Sequence, residues 1–126
     1  MNRRQLRALA VTGALALASL GASSAVSAAP VAKAAKTCSV KGKEQTYGPS
    51  YVTSLSVTGV SCGEGEKVVR AYYRCRAVNG PAGRCVRKVR GFACTEQRAG
   101  IATQFDARVT CKKRGATVRH SYTQNT

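Results

Sequence analysis

The chain has 126 residues, of which 21 are Lys or Arg and five are Asp or Glu, so its formal net charge is +16. This length predicts one small domain, and the charge favours negatively charged partners. The single histidine argues against most nucleophilic and metal-dependent active sites, which need a base or several imidazole ligands.

Residues 1–28 have the pattern of an export signal. Arginines precede an apolar run from Ala8 to Leu20, and Val26-Ser27-Ala28 suits cleavage after the alanine. The run is shorter than the ~20 residues of a membrane span, so we expect a secreted, extracellular product; Arg3-Arg4 leaves a twin-arginine export route open. Removing the three arginines of the signal leaves 18 basic and five acidic residues, a net charge of +13.

The mature chain is predicted to begin with a flexible basic lead-in, residues 29–50, followed by a single disulfide-stabilised domain over residues 51–126. The segment SLSVTGV, residues 54–60, alternates apolar with polar side chains. That period of two is typical of a strand with one buried face. It is the first predicted strand.

A helix is predicted over residues 63–77. Ser61 and Glu64 stand in the S-x-x-E relation of a capping box at its start. On the helical wheel Tyr72 falls on the apolar side, so it is predicted to be buried. Tyr73 falls at the boundary, where it could either pack or offer a stacking surface to a nucleic acid.

Two further segments complete the fold. The turn-rich VNGPAGR, residues 78–84, ends the helix, and residues 84–97 are expected to return to extended structure. Residues 105–111 and 116–122 both alternate apolar with polar side chains and predict a hairpin. The expected order is strand, helix, strand, strand, strand, an α+β fold with one helix packed on a small antiparallel sheet.

The hairpin has a predicted register. If Arg114-Gly115 is its two-residue turn, apolar side chains meet along one face, with Cys111 opposite Val118, Val109 opposite His120 and Ala107 opposite Tyr122.

All six cysteines lie after the predicted signal, which in an oxidising compartment predicts three disulfides. They are Cys38, Cys62, Cys75, Cys85, Cys94 and Cys111. Cys75 and Cys85 bracket the turn-rich segment, so they are the favoured pair, and the other pairings stay open. The chain has no C-x-x-C motif, so neither a metal nor another cofactor is expected.

The cysteine-anchored segments SLSVTGVSCGEGEKVVRAYYRCR, GRCVRKVRGFAC and FDARVTCKKRGATVRHSYTQN resemble small secreted, disulfide-containing proteins of actinobacteria. In those proteins a GVSC strand runs into a helix and is followed by GFxC and VTC strands. The resemblance covers residues 51–126. It implies export, disulfides and the strand-helix-strands order, with no catalytic residue. It also implies that Cys62, Cys94 and Cys111 are the shared set, and that Cys75 and Cys85 are an additional local pair.

The charge and the lack of an enzyme motif predict a non-catalytic domain that binds anionic cell-envelope polymers or extracellular nucleic acid. The residues expected to bind anions form a helix stripe, a cluster after the helix and the hairpin turn: Lys67, Arg70, Arg74, Arg87, Lys88, Arg90, Lys112, Lys113 and Arg114. Whether these three groups converge on one side depends on the disulfide pairing.

Two alternatives remain. The loop closed by Cys75 and Cys85 could present a rigid segment to a partner protein, as in a protease inhibitor. A small ribonuclease or toxin could instead use His120, with Glu96 as partner and an arginine such as Arg98 or Arg108 to hold a phosphate. The hairpin register places His120 on the apolar side of the sheet, which favours a structural role, and no enzyme is expected.

Overall fold

The computed structural model describes residue 21 and residues 25–126, so nearly all of the predicted signal, residues 1–28, lies outside the described residues. The chain divides into two units, Met1–Pro30 and Val31–Thr126. All the described helix and strand residues belong to the second unit.

One helix and five strands make up this second unit. In chain order they are β1 (Lys36–Cys38), β2 (Tyr51–Thr58), α1 (Cys62–Ala77), β3 (Ala93–Ile101), β4 (Gln104–Lys113) and β5 (Ala116–Asn125). The strands form one antiparallel sheet in the order β1-β2-β5-β4-β3, and α1 packs across β2 and β5. The predicted α+β class, a small antiparallel sheet with one packed helix and disulfide cross-links, is confirmed.

The helix begins where its capping residues predict. Ser61 is the N-cap, and its hydroxyl accepts a hydrogen bond from the backbone N–H of Glu64 at 3.1 Å, as N-cap serines commonly do. The side of α1 that faces the sheet carries large side chains that are at most 2% exposed: Val68, Val69 and Tyr72. The apolar stripe of the helix is therefore the one that the sequence predicts.

Gly65 lies where α1 comes closest to β2. A Cβ atom at this position would lie 2.5 Å from Cγ1 of Val57. Two non-bonded carbon atoms this close would clash, so one of them would have to move. The glycine thus lets the helix approach the strand closely.

Strands β4 and β5 form the predicted hairpin. Lys113 pairs with Ala116, so Arg114 and Gly115 are the two turn residues, and Gly115 takes a φ of 72°, as tight hairpin turns require. The predicted register is confirmed by three pairs: Cys111 with Val118, Val109 with His120, and Ala107 with Tyr122. The side chains between them point to the face of the sheet away from α1, which we call the open face.

Three disulfides connect these elements, and none of the described cysteines is free. The bridge between Cys75 and Cys85 is the predicted pair. The other two are Cys38–Cys62, which ties β1 to the start of α1, and Cys94–Cys111, which joins directly paired positions of β3 and β4.

The segment before β2 contributes more to the domain than the predicted lead-in, residues 29–50. Residues 36–38 form β1, which pairs with β2, and Tyr47 is only 1% exposed. The observed order therefore has one strand more than the predicted β-α-β-β-β. Three residues are too few to show a period of two, so β1 leaves no signal in the sequence.

Residues 84–92 also differ from the extended segment that the sequence predicts. The strand begins only at Ala93. Before it, Val89 and Phe92 exchange two backbone hydrogen bonds around Arg90 and Gly91, whose φ angles are 50° and 82°. This is a tight turn of the kind that joins two strands, and it carries Arg90 toward the start of α1.

Candidate anion-binding surfaces

The nine basic residues predicted to bind anions differ in whether a carboxylate neutralises them. Arg90 pairs with Glu64 at 2.8 Å, and Arg70 pairs with Glu66 at 3.8 Å. Within residues 25–126 the other seven form no ion pair, and all are exposed: Lys67, Arg74, Arg87, Lys88, Lys112, Lys113 and Arg114. Most of the predicted set is therefore available to an anionic partner.

One group of these residues surrounds Glu64 at the first turn of α1. Arg90 donates two hydrogen bonds to its carboxylate, at 2.8 and 3.2 Å. The pKa of Glu64 lies below its ordinary value, first because of these hydrogen bonds and then because the charges of Arg90, Lys67 and Lys113 lie near it. One carboxylate thus stands among three basic side chains, so positive charge is in excess here.

The β4–β5 turn extends this group. Lys113 lies over Phe92, with its Nζ 4.9 Å from the ring centre. Lys112 and Lys113 share a shallow depression of about 430 Å³ with Lys33, and Arg114 follows in the turn. We call the combined set the hairpin-end cluster, which consists of Lys33, Lys67, Arg90, Lys112, Lys113 and Arg114.

The remaining predicted residues lie apart from the hairpin-end cluster or have no described contact with it. Arg70 lies over Tyr47 at 5.0 Å from the ring centre and donates to the carbonyl of Thr46. Arg87 lies beside Cys75 at the other end of the helix. No contact among the described residues links Arg74 or Lys88 to the cluster. The structure thus brings together five of the nine predicted residues.

The open face of the sheet carries a second cationic surface. Arg108 of β4 and Arg119 of β5 alternate with buried residues, so both side chains point to this face. Arg108 pairs with Ser121, and Arg119 pairs with Thr110, so the arginines are diagonal neighbours on adjacent strands. Both line a groove of about 460 Å³. Diagonal neighbours lie roughly 7–8 Å apart, within reach of one ligand.

Short polar side chains surround the two arginines in this open-face groove. The other open-face side chains that line it are Thr37, Ser54, Ser56, Thr95, Gln97, Thr110 and Ser121. No acidic residue and no Phe, Tyr or Trp is among the lining residues. Asp106 lies on the same face, where it accepts a hydrogen bond from Thr123 at 2.6 Å. It forms no ion pair with Arg108 among the described side chains.

Arg119 is absent from the predicted set, and Arg108 enters only the ribonuclease alternative. Both arginines could be found from the alternation of apolar and polar residues in β4 and β5, which also identifies the buried residues. In β4 and β5 each polar position between buried residues must face the other side of the sheet. Two arginines at such positions on paired strands must then share a face.

The two neighbouring tyrosines of α1 are both held by the fold. Tyr72 is 2% exposed, as predicted, and its hydroxyl donates to Oε2 of Glu96 at 2.8 Å. Tyr73 is half-buried and packs against Gly48, where an added Cβ would lie 2.0 Å from the ring. Tyr51 is the one large aromatic side chain exposed in the described part of the chain, which offers little for nucleic-acid bases to stack on.

His120 lies in the core, on the apolar side of the sheet. It is 2% exposed, and the rings of Tyr72 and Tyr122 lie 5.6 and 6.0 Å from its ring. Neither ring nitrogen has a hydrogen-bond partner among the described residues. Burial lowers the pKa of His120 to about 3, so the imidazole is neutral at neutral pH.

Glu96 is enclosed by hydrogen-bond donors, and its side chain is 4% exposed. It accepts hydrogen bonds from the hydroxyls of Tyr72 and Tyr122 and from the guanidinium of Arg98. Burial alone would raise the pKa of Glu96, but these hydrogen bonds outweigh it and lower the pKa. Because His120 and Glu96 are both enclosed, the geometry gives no support to the ribonuclease alternative.

Two basic side chains hold the Cys75–Cys85 loop from inside. Arg76 is 0% exposed and donates to the carbonyl of Pro81 at 2.7 Å. Arg98 donates to the next two carbonyls of the loop. These carbonyls already accept hydrogen bonds within the domain, so they are less free to pair with the backbone of a protease. The protease-inhibitor alternative therefore gains no support from the loop.

Comparison with known protein families, with curated proteins and with solved structures finds no match for this chain. The resemblance to actinobacterial secreted proteins therefore stays a prediction. Among the described residues no three His, Cys, Asp or Glu side chains are grouped as a metal would require. No helix in the same residues is long and apolar enough to cross a membrane.

Proposed function

We propose that this protein is a secreted, non-catalytic domain that binds anionic polymers through its exposed Lys and Arg side chains. The observation that carries the proposal is the distribution of charge. Three of the five carboxylates, Glu64, Glu66 and Glu96, are already engaged in ion pairs. The excess of basic residues therefore stays on the surface without neutralisation, where it attracts polyanions.

The disulfides support the extracellular setting of this proposal. Three bridges in a small domain are typical of proteins in oxidising compartments, because cytosolic thiols are kept reduced. Outside the cell, the abundant polyanions include phosphate-bearing envelope polymers and released nucleic acid. Both present a chain of phosphodiesters, so the shared ligand chemistry is a repeated phosphate.

The hairpin-end cluster is the part of the predicted set best placed for such a chain. Its lysines are exposed and are free of ion pairs among the described residues. Each Lys or Arg that neutralises a phosphate releases condensed counterions from the polymer, so binding must weaken as salt rises. Each such contact adds about 0.7–0.9 to the slope of log affinity against log salt.

The test compares two double variants that lose the same charge. Lys112→Gln with Lys113→Gln removes two charges from the cluster, whereas Lys36→Gln with Lys41→Gln removes two exposed charges that lie in β1 and in the segment after it, outside the cluster. Affinity for duplex DNA and for poly(glycerol phosphate) is measured by fluorescence anisotropy from low to physiological salt. We expect the first variant to lower the salt slope by about 1–2 for both polymers, and the second to lower it less.

Two results would overturn the proposal. The wild-type protein could bind neither polymer even at low salt, which would show that its charge is only a solvated surface. Alternatively, binding could be insensitive to salt, which would show that phosphates are not what the protein contacts.

A further inference from the structure

We infer that the open-face groove recognises a phosphodiester-linked polyol chain, with Arg108 and Arg119 binding its phosphates. The inference rests on the proposed function and goes beyond it, because it names a site that the predicted set does not contain. It also distinguishes specific recognition in the groove from general attraction at the hairpin-end cluster.

The two arginines supply the anion site. Both are exposed and free of ion pairs in the part of the chain that the structure describes. A guanidinium presents a planar fork of donors that matches two oxygens of a phosphate, which a lysine cannot do. Because Arg108 and Arg119 are diagonal neighbours on paired strands, they are placed to hold either one phosphate or two successive ones.

The hydroxyls of the groove supply the complement to a polyol. Six Ser and Thr side chains and the amide of Gln97 line it. Hydroxyls and amides both donate and accept hydrogen bonds, as do the hydroxyls of a polyol. No carboxylate lines the groove, so nothing within it repels a phosphate. The strands form a continuous hydrogen-bonded sheet, which holds these groups in place before the ligand arrives.

The same lining argues against a single-stranded nucleic acid as the ligand. Binding of such strands depends on aromatic side chains on which bases stack, worth about 1–3 kcal/mol per base. The groove has no Phe, Tyr or Trp among its lining residues. His120 also lines it, but its ring is 2% exposed and packs in the core against Tyr72 and Tyr122, so it offers no surface for a base. A chain of phosphates and hydroxyls without bases uses every feature of this surface.

The test uses the intact mature protein and three labelled probes of matched charge: poly(glycerol phosphate), a single-stranded oligonucleotide and a carboxylated polysaccharide, polygalacturonate. The groove variant is Arg108→Gln with Arg119→Gln, and the matched control is Lys36→Gln with Lys41→Gln, two exposed lysines that belong neither to the groove nor to the hairpin-end cluster. A third variant, Arg108→Lys with Arg119→Lys, keeps the charge and removes the forks. Because all four side chains are exposed, thermal unfolding should be unchanged, which is checked first.

We expect the groove variant to weaken poly(glycerol phosphate) binding by about tenfold per arginine, as for hydrogen bonds to a charged group, and the control to weaken it far less. The lysine variant should bind the oligonucleotide with unchanged affinity. Its affinity for poly(glycerol phosphate) should still fall severalfold, because a lysine lacks the planar fork of donors.

Each contrary outcome has a distinct meaning. Equal losses in the groove variant and the lysine-to-glutamine control would overturn the groove and leave the proposed function standing. Tighter wild-type binding of the oligonucleotide or of polygalacturonate would overturn the choice of ligand. Absence of binding to all three probes would overturn the proposed function itself.

Discussion

The buried imidazole of His120 makes the stability of this domain depend on pH in a range where no other side chain should. In the unfolded chain its pKa is near 6.5, and in the folded protein burial lowers it to about 3. Below pH 6.5 the unfolded chain therefore binds a proton that the folded protein does not bind. Stability is fully present above that pH and is lost as the pH falls from about 6.5 toward about 3.

The size of the loss follows from the two pKa values. At pH 5 nearly every unfolded molecule carries the proton, and the free energy of unfolding is lower than at pH 7 by about 2 kcal/mol. His120 is the one histidine of the chain, so it dominates this interval. The pKa of Glu96 is also lowered, but its contribution is lost only below the ordinary carboxylate range, at more acidic pH.

The measurement is urea unfolding at pH 7 and pH 5, with the disulfides intact, for the wild type and His120→Leu. Leucine fills a similar volume and removes two buried nitrogens without partners, so the variant should be as stable as the wild type at pH 7 or more stable by about 1 kcal/mol. Its stability should change little between the two pH values. Equal pH dependence in both proteins would refute the burial of a neutral imidazole, as would an NMR titration with a pKa above 5.

Three further changes test the packing and the cross-links by urea unfolding or circular dichroism. Gly65→Ala should lower the free energy of unfolding by about 1 kcal/mol, because crowding of the added Cβ against Val57 costs more than the gain in helix propensity. Gly63→Ala, which meets only a hydroxyl at 3.9 Å, should lose nothing; equal losses would contradict the close approach. Glu96→Gln should lower the free energy of unfolding by about 3 kcal/mol, because it leaves Arg98, whose side chain is only 13% exposed, without its charge partner; an unchanged midpoint would contradict this. Reduction should unfold the domain, since each bridge contributes about 3 kcal/mol in the chain-entropy treatment, and retained far-UV and near-UV spectra in reductant would contradict it.

The features that could be predicted are those encoded by local periodicity. The hairpin register follows from two alternating runs and a two-residue turn, and one shift by a residue would reverse every side chain in it. The helix start follows from Ser61, whose hydroxyl has a backbone partner within one turn. The Cys75–Cys85 pair follows from a short turn-rich loop. Each of these depends on residues that are close together in the chain.

The features that could not be predicted depend on contacts between distant segments. Arg76 carries a charge that predicts exposure, yet it is 0% exposed and lies over the ring of Tyr122 at 4.5 Å. It is buried because its partners, among them Pro81 and Gln124, come from a loop and from the last strand. The helical period places Arg76 four residues after Tyr72 on the apolar side, unlike the exposed Arg74, but only the partners from distant segments explain why a charged side chain is buried there.

The candidate sites divide along the same line. The three basic residues at the hairpin turn are adjacent in the sequence and can be recognised there. The position of Arg90 beside Glu64, in contrast, depends on the tight turn before β3. The open-face groove needs the pairing of β4 with both β3 and β5. A site assembled from paired strands becomes visible only when the register is extended across the whole sheet.

The disulfides explain how so small a domain can tolerate both buried polar atoms without hydrogen-bond partners and a highly charged surface. Burying ring nitrogens without partners costs about 1–3 kcal/mol each, and Arg76 also has a buried Nε without a partner among the described residues. Like charges on the surface add further repulsion that opposes compaction. The three bridges act on the unfolded chain, whose entropy they lower, so they offset these costs without occupying the surface. A domain stabilised in this way can keep its basic side chains for a ligand instead of pairing them with acidic residues.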